Sequence, residues 1–239
     1  MPSSAVRGEP TLRLTHRIIV SLWPFMLICG VVVTACWHLM LDGDVLDMGT
    51  ELALLAVEFS VSVILTYAIC ASVLSGQRIG VRQLVTHPCA RNLGYLAVLY
   101  GFYVVVAELI FRLIDLLPEA YEVPTSMLAG TFILFLIGRY GTALPAALAE
   151  GHMSLSQAAQ RGGAISIIWR HLVIIALAVA VFVALLFIET QLWSEDAVPR
   201  FLNFENLGVL VLLVVGMVAS NIVLTKAYLG HYRAPGHAP

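Results

Sequence analysis

Charge is what this chain is short of: only 12% of its 239 residues are Asp, Glu, Lys or Arg, against about 25% in a soluble domain. The shortage runs the length of the chain, and the connections between its apolar runs are too short to hold a separate soluble domain. A globule folded in water is excluded, because too little polar surface exists to cover its core. Cysteine is scarce as well. Cys29, Cys36 and Cys70 fall inside apolar runs and Cys89 lies in a basic connection, which suits small apolar side chains and not a disulfide framework.

Catalytic signatures are missing too. The chain has no G-x-S-x-G, H-E-x-x-H, P-loop or dinucleotide fingerprint, and GQRIG (76–80) is too short to cradle phosphates. His38, His152, His171, His231 and His237 lack the spacing of a zinc site. The basic residues are scattered over several connections instead of forming a nucleic-acid-binding stripe. These absences predict a protein with no enzymatic activity, no metal or cofactor, and no nucleic-acid partner.

What is present is hydrocarbon. Hydrophobic residues make up 60% of the chain, and mean hydropathy is +0.92. Crossing a hydrocarbon core of about 30 Å takes roughly 20 helical residues. Six runs reach that length: 18–41, 52–74, 94–117, 126–149, 166–189 and 206–229. They predict an all-α fold, a polytopic transmembrane helical bundle of six spans at 18–232 with short tails at 1–17 and 233–239. The stretch IIVSLWPFMLICGVVVTACWHLM outruns the apolar core of a signal peptide, so it reads as a retained span.

Charge is sparse but ordered. Arg7, Arg13 and Arg17 precede the first run; Arg78, Arg82 and Arg91 fill the second connection; Arg161 lies in the fourth; Lys226 and Arg233 end the chain. The first connection instead carries Asp42, Asp44, Asp47 and Glu51, the third Glu119 and Glu122, and the fifth Glu195, Asp196 and Glu205 against Arg200 alone. By the positive-inside rule this alternation predicts N-in/C-in threading of a bacterial cytoplasmic membrane. Trp23 and Trp169 near inner ends, and Trp37 and Trp193 near outer ends, fit an interfacial belt.

The third run contains VAELIFRLIDLL (106–117). Glu108, Arg112 and Asp115 are spaced i, i+4, i+7 and share one helical face with Val105, Gly101, Val98 and Gly94. That glycine-bearing face is expected to turn into the bundle. In the second run Glu58, Ser62 and Thr66 form a matching seam. At 1.5 Å per residue, Glu58 and Glu108 lie at similar depths, roughly 9 and 13 Å from their outer ends, with Arg112 in reach of both. An unpaired charge in mid-bilayer costs about 2.5–3.5 kcal/mol, so pairing is expected. The first reading is a structural ion pair locking two spans together; the second is a proton or cation site on a transport path.

Arg139, Arg170 and Lys226 sit near inner span ends and are expected to snorkel to anionic headgroups, as is His171. In the fourth connection Ser154 is placed to cap a short helix that Gly162-Gly163 interrupts. Gly216 and Ser220 are spaced for close helix approach.

The segment GRYGTALPAALAEG (138–151), followed by SLSQAAQRGGAISIIWRHL, resembles the membrane domain that accompanies some bacterial glycerophosphodiester phosphodiesterases, and related stand-alone multi-span proteins. Arg139, Ala143, Leu144, Pro145, Ser154, Arg161 and Gly163 carry the resemblance; Ala158, Ala159 and Gln160 stand where the pattern has Trp and Thr. It implies a multi-span membrane domain. No phosphodiesterase catalytic domain accompanies it here, so no hydrolytic activity is implied. Pro145 is expected to kink or end the fourth span.

The expectation is a non-enzymatic scaffold or accessory subunit in contact with membrane lipids, and with a protein partner or a second copy. A transporter or permease-like component built on Glu58, Glu108 and Arg112 is the alternative.

Overall fold

Backbone groups in hydrocarbon have no water to bond, so an apolar chain satisfies them within helices. The computed structural model describes residues 9–42, 47–76, 79, 81–116, 119–152, 155–161, 164–192 and 204–231. Among these, every regular element is helical. The long helices α1 (Thr11–Asp42), α2 (Met48–Ser75), α4 (Leu93–Asp115), α5 (Glu119–Tyr140), α8 (Ala164–Leu192) and α9 (Phe204–His231) coincide with the apolar runs. Short helices α3 (Val81–Thr86), α6 (Ala143–Glu150) and α7 (Leu155–Arg161), with a 3-10 turn at Pro88–Asn92, lie in or near the connections.

Among the described residues, four segments are long and apolar enough to cross a membrane: Arg13–Cys36, Met48–Ser75, Pro88–Ile114 and Leu128–Glu150. The pair α7 and Ile165–Val181 meets at 84° and makes a fifth if taken as one broken span. This is the build of a multi-pass membrane protein.

The core is concentrated at the end of the bundle that carries α6. There α2 is buried almost all round from Ser62 to Leu74, as befits a helix apolar on every face. Ala143–Leu148 of α6 is buried throughout. Helix α9 is the central strut, packing on α1, α2, α6 and α8, with Val218, Ile222, Tyr228 and Leu229 wholly enclosed.

Local chemistry sets the helix ends. Asp47 caps α2 by accepting from the Thr50 N–H at 2.6 Å. Gly76 (φ 67°) and Gly151 (φ 70°) close α2 and α6 in the left-handed conformation. The break within the fourth run lies at Gly141-Thr142, ahead of Pro145. Pro145 sits in the first turn of α6 instead, where a missing N–H leaves no intrahelical bond unmade. Gly141 makes the break possible: a Cβ there would lie 2.5 Å from the Ile137 carbonyl oxygen and 2.7 Å from the Leu224 side chain. The expected cap at Ser154 and the interruption at Gly162-Gly163 fall outside the described residues.

Candidate functional site

On the α2 seam Glu58 is half-buried, and Ser62 and Thr66 are buried. Glu58 lies within electrostatic reach of Cys36 on α1 and Tyr100 on α4. Its neighbour Phe59 covers Gly101, where a Cβ would sit 3.5 Å from the ring, and packs on Tyr100 with centroids 5.8 Å apart. That spacing is an ordinary van der Waals contact, and Phe59 is what joins α2 to α4 here.

At Val98, Val105 and Arg112 the described side chains of the α4 face do not turn inward. Val98 and Val105, one turn either side of Gly101, are 62% and 65% exposed, and Arg112 is exposed. Packing selected a different stripe, Leu96, Leu99 and Ile114, which are buried at 5% exposure or less. Lipid is as apolar as either face, so buried area does not choose between them; the fit of the neighbouring helices decides the rotation. The side chains of Glu108 and Asp115 lie outside those described.

Arg139 and Arg170 are both exposed, on α5 and α8. Lys226 does not hang free beside them. Its Nζ donates to the Glu9 carbonyl oxygen, and the Glu9 carboxylate pairs with Arg17 at 3.0 Å. Those contacts tie the start of α1 to the end of α9.

Two arrangements were not anticipated from the sequence. The first is a polar latch on α6 and α7. Arg161 Nη2 donates to both Glu150 oxygens at 3.0 and 3.2 Å and lies 5.2 Å over the Tyr228 ring. Tyr228 in turn donates to Glu150 Oε1 at 2.9 Å, and His152 Nε2 is 3.2 Å from Glu150 Oε2. Behind it, Asn92 Nδ2 donates to the Leu148 carbonyl at 2.7 Å, satisfying an orphan acceptor at the end of α6. The latch joins α6, α7 and α9.

The second is a cavity of about 400 Å³ between α4, α5, α6, α8 and α9. Its walls are almost wholly apolar, with Leu134, Ile137, Ile174, Met217 and Leu224, and its polar atoms come from Tyr100, Tyr103, His171, Ser220 and Asn221. His171 was expected to reach toward the membrane surface; it is 5% exposed and turned inward. The reason is a double hydrogen bond, from Nδ1 to the Ile167 carbonyl at 2.9 Å and between Nε2 and Ser220 Oγ at 2.7 Å. A carbonyl only accepts, so Nδ1 carries the proton; in the neutral ring Nε2 then accepts from the Ser220 hydroxyl.

Gly216 is likewise not a close-packing residue. A Cβ there meets nothing within 4 Å, because the position opens onto the cavity. Asn221, beside Ser220, donates from Nδ2 to the Met217 carbonyl at 2.9 Å and faces Cys70 Sγ at 3.7 Å. No signal in the sequence joins His171 to Ser220, since the two are 49 positions apart on different helices. A lone imidazole inside an apolar run was the available clue.

No protein-family model, no curated protein and no solved structure matches this chain.

Proposed function

We propose that the chain is a non-enzymatic integral membrane protein that serves as scaffold or accessory subunit of a membrane assembly. On this reading it crosses a bacterial cytoplasmic membrane six times, as one domain over 18–232 with both tails inside. The alternation of basic and acidic connections supports the threading. The resemblance of 138–163 to the membrane domain of glycerophosphodiester phosphodiesterases supports a structural role for that segment, since its Arg161 is engaged by Glu150 and Tyr228.

One observation carries the scaffold reading over transport. Neither the 400 Å³ cavity nor a second one of about 430 Å³, walled by Ile110, Leu113, Leu128 and Phe132, has Glu58 or Arg112 among its described lining residues. A path using those charges needs water beside them. The transporter reading keeps one argument, the half-buried carboxylate of Glu58 inside a span.

Copurification from native membranes in mild detergent tests the choice. A stoichiometric protein partner, or a stable second copy, is the expected result. Solute flux in reconstituted vesicles that Glu58→Gln abolishes without loss of folding would replace scaffold with transporter.

A further inference from the structure

The 400 Å³ cavity has a polar end and an apolar body, and the hydrogen-bond inventory of that end is specific. Ser220 has one hydroxyl hydrogen, which is committed to His171 Nε2 at 2.7 Å, leaving oxygen lone pairs that can only accept. Asn221 has two amide hydrogens on Nδ2, and one goes to the Met217 carbonyl at 2.9 Å. Among the described residues the other meets no acceptor and is left to donate. Tyr103 is already used, donating to the Tyr140 carbonyl at 2.8 Å. Tyr100 is engaged with Ser62, so on adjacent residues of α9 the end offers an acceptor, Ser220 Oγ, beside a donor, Asn221 Nδ2. A hydroxyl group answers both at once; a hydrocarbon answers neither.

Charge is excluded from the occupant. No Asp, Glu, Lys or Arg is among the described lining residues, and an ion without a counter-charge inside a bilayer is costly. Size narrows it further, since a volume of this order lies near the lower end of ligand pockets and suits one alkyl chain better than two. We propose that this cavity binds a neutral single-chain lipid through a terminal hydroxyl held by Ser220 and Asn221, its chain lying along Leu134, Ile174 and Met217. The site is independent of whether the protein is a scaffold or a transporter, and its test reads binding alone.

The full chain, in nanodiscs of phosphatidylethanolamine and phosphatidylglycerol, is photolabelled with hexadecanol carrying a diazirine on its chain. Labelling is expected on peptides of α8 and α9 that include Ile174 and Met217. Unlabelled hexadecanol should suppress it, and hexadecyl phosphate, equal in chain but charged, should be at least roughly tenfold less effective. Gly216→Leu fills the cavity from a position where added atoms meet open space, so it should remove the label while folding is retained. Label that persists in Gly216→Leu, or that maps away from these helices, overturns the proposal. Equal competition by hexadecyl phosphate in the unmodified chain overturns it too, with no variant needed.

Discussion

Glu150 and Arg161 close a loop: the carboxylate that ends α6 and the guanidinium that ends α7 meet at 3.0 Å, both mostly shielded from solvent at 18% side-chain exposure. Tyr228 of α9 stands beneath them, donating to the carboxylate and offering its ring to the guanidinium. One carboxylate therefore fixes three helices. Arg161→Ala removes the ion pair and the ring contact together, and should lower stability by about 2 kcal/mol. Thermal unfolding in detergent measures it. A change within about 0.5 kcal/mol, the range of an ordinary surface substitution, would show that the latch holds nothing.

Glycines should divide sharply by position. Gly141→Ala forces a carbon to within 2.5 Å of a backbone oxygen and should cost about 1–3 kcal/mol. Gly151→Ala places a side chain at φ 70° and 2.9 Å from Asn92 Oδ1, costing about 1–2 kcal/mol from conformation alone. Gly216→Ala meets no atom and should stabilise by roughly 0.5–1 kcal/mol through helix propensity. Comparing the three unfolding midpoints checks the order.

His171 and Ser220 should be energetically coupled. Interhelical hydrogen bonds in membranes average about 0.6 kcal/mol and reach about 1.7. A bond of 2.7 Å with both partners oriented should approach the upper figure. A double-mutant cycle with His171→Phe and Ser220→Ala measures the coupling; zero coupling would mean that the two side chains do not meet.

Acid should act outside the membrane through two caps. His87 Nδ1 accepts from the Cys89 N–H at 3.3 Å, and burial pushes its pKa below the ordinary 6.5. The unfolded chain thus binds the proton first. Stability from this group is complete above about pH 6.5 and is lost as pH falls toward the depressed folded value. His87→Asn keeps an acceptor without titrating, so the pH dependence in that window should flatten. Asp47 acts lower: its bond from the Thr50 N–H holds its carboxyl below 3.8. Its contribution is present above that value and disappears as pH falls through the folded pKa.

The sequence made the long helices legible because lipid imposes one demand on every residue, and a run such as 52–74 answers it without ambiguity. The burial of Ser62 and Thr66 was legible for a related reason, polar groups on an apolar helix turning away from lipid. The rotation of α4 was not. A face bearing Gly94 and Gly101 competed with one bearing Leu96 and Leu99, and only the shapes of the neighbouring helices decide that contest. Glu150, Tyr228 and the His171–Ser220 pair were hidden in another way. Each depends on contacts across many residues of sequence, and single polar residues within apolar runs carry no mark of their partners.

Side-specific labelling tests the threading most directly. In a chain where Cys89→Ser leaves only the buried thiols, Met48→Cys at the start of α2 and Gln83→Cys on α3, beyond its other end, place exposed sulfurs on either side of that span. A membrane-impermeant maleimide added to intact cells should label Met48→Cys at once and Gln83→Cys only after the membrane is opened. Labelling of both from the same side would contradict the proposed six-span arrangement and the orientation it gives each residue.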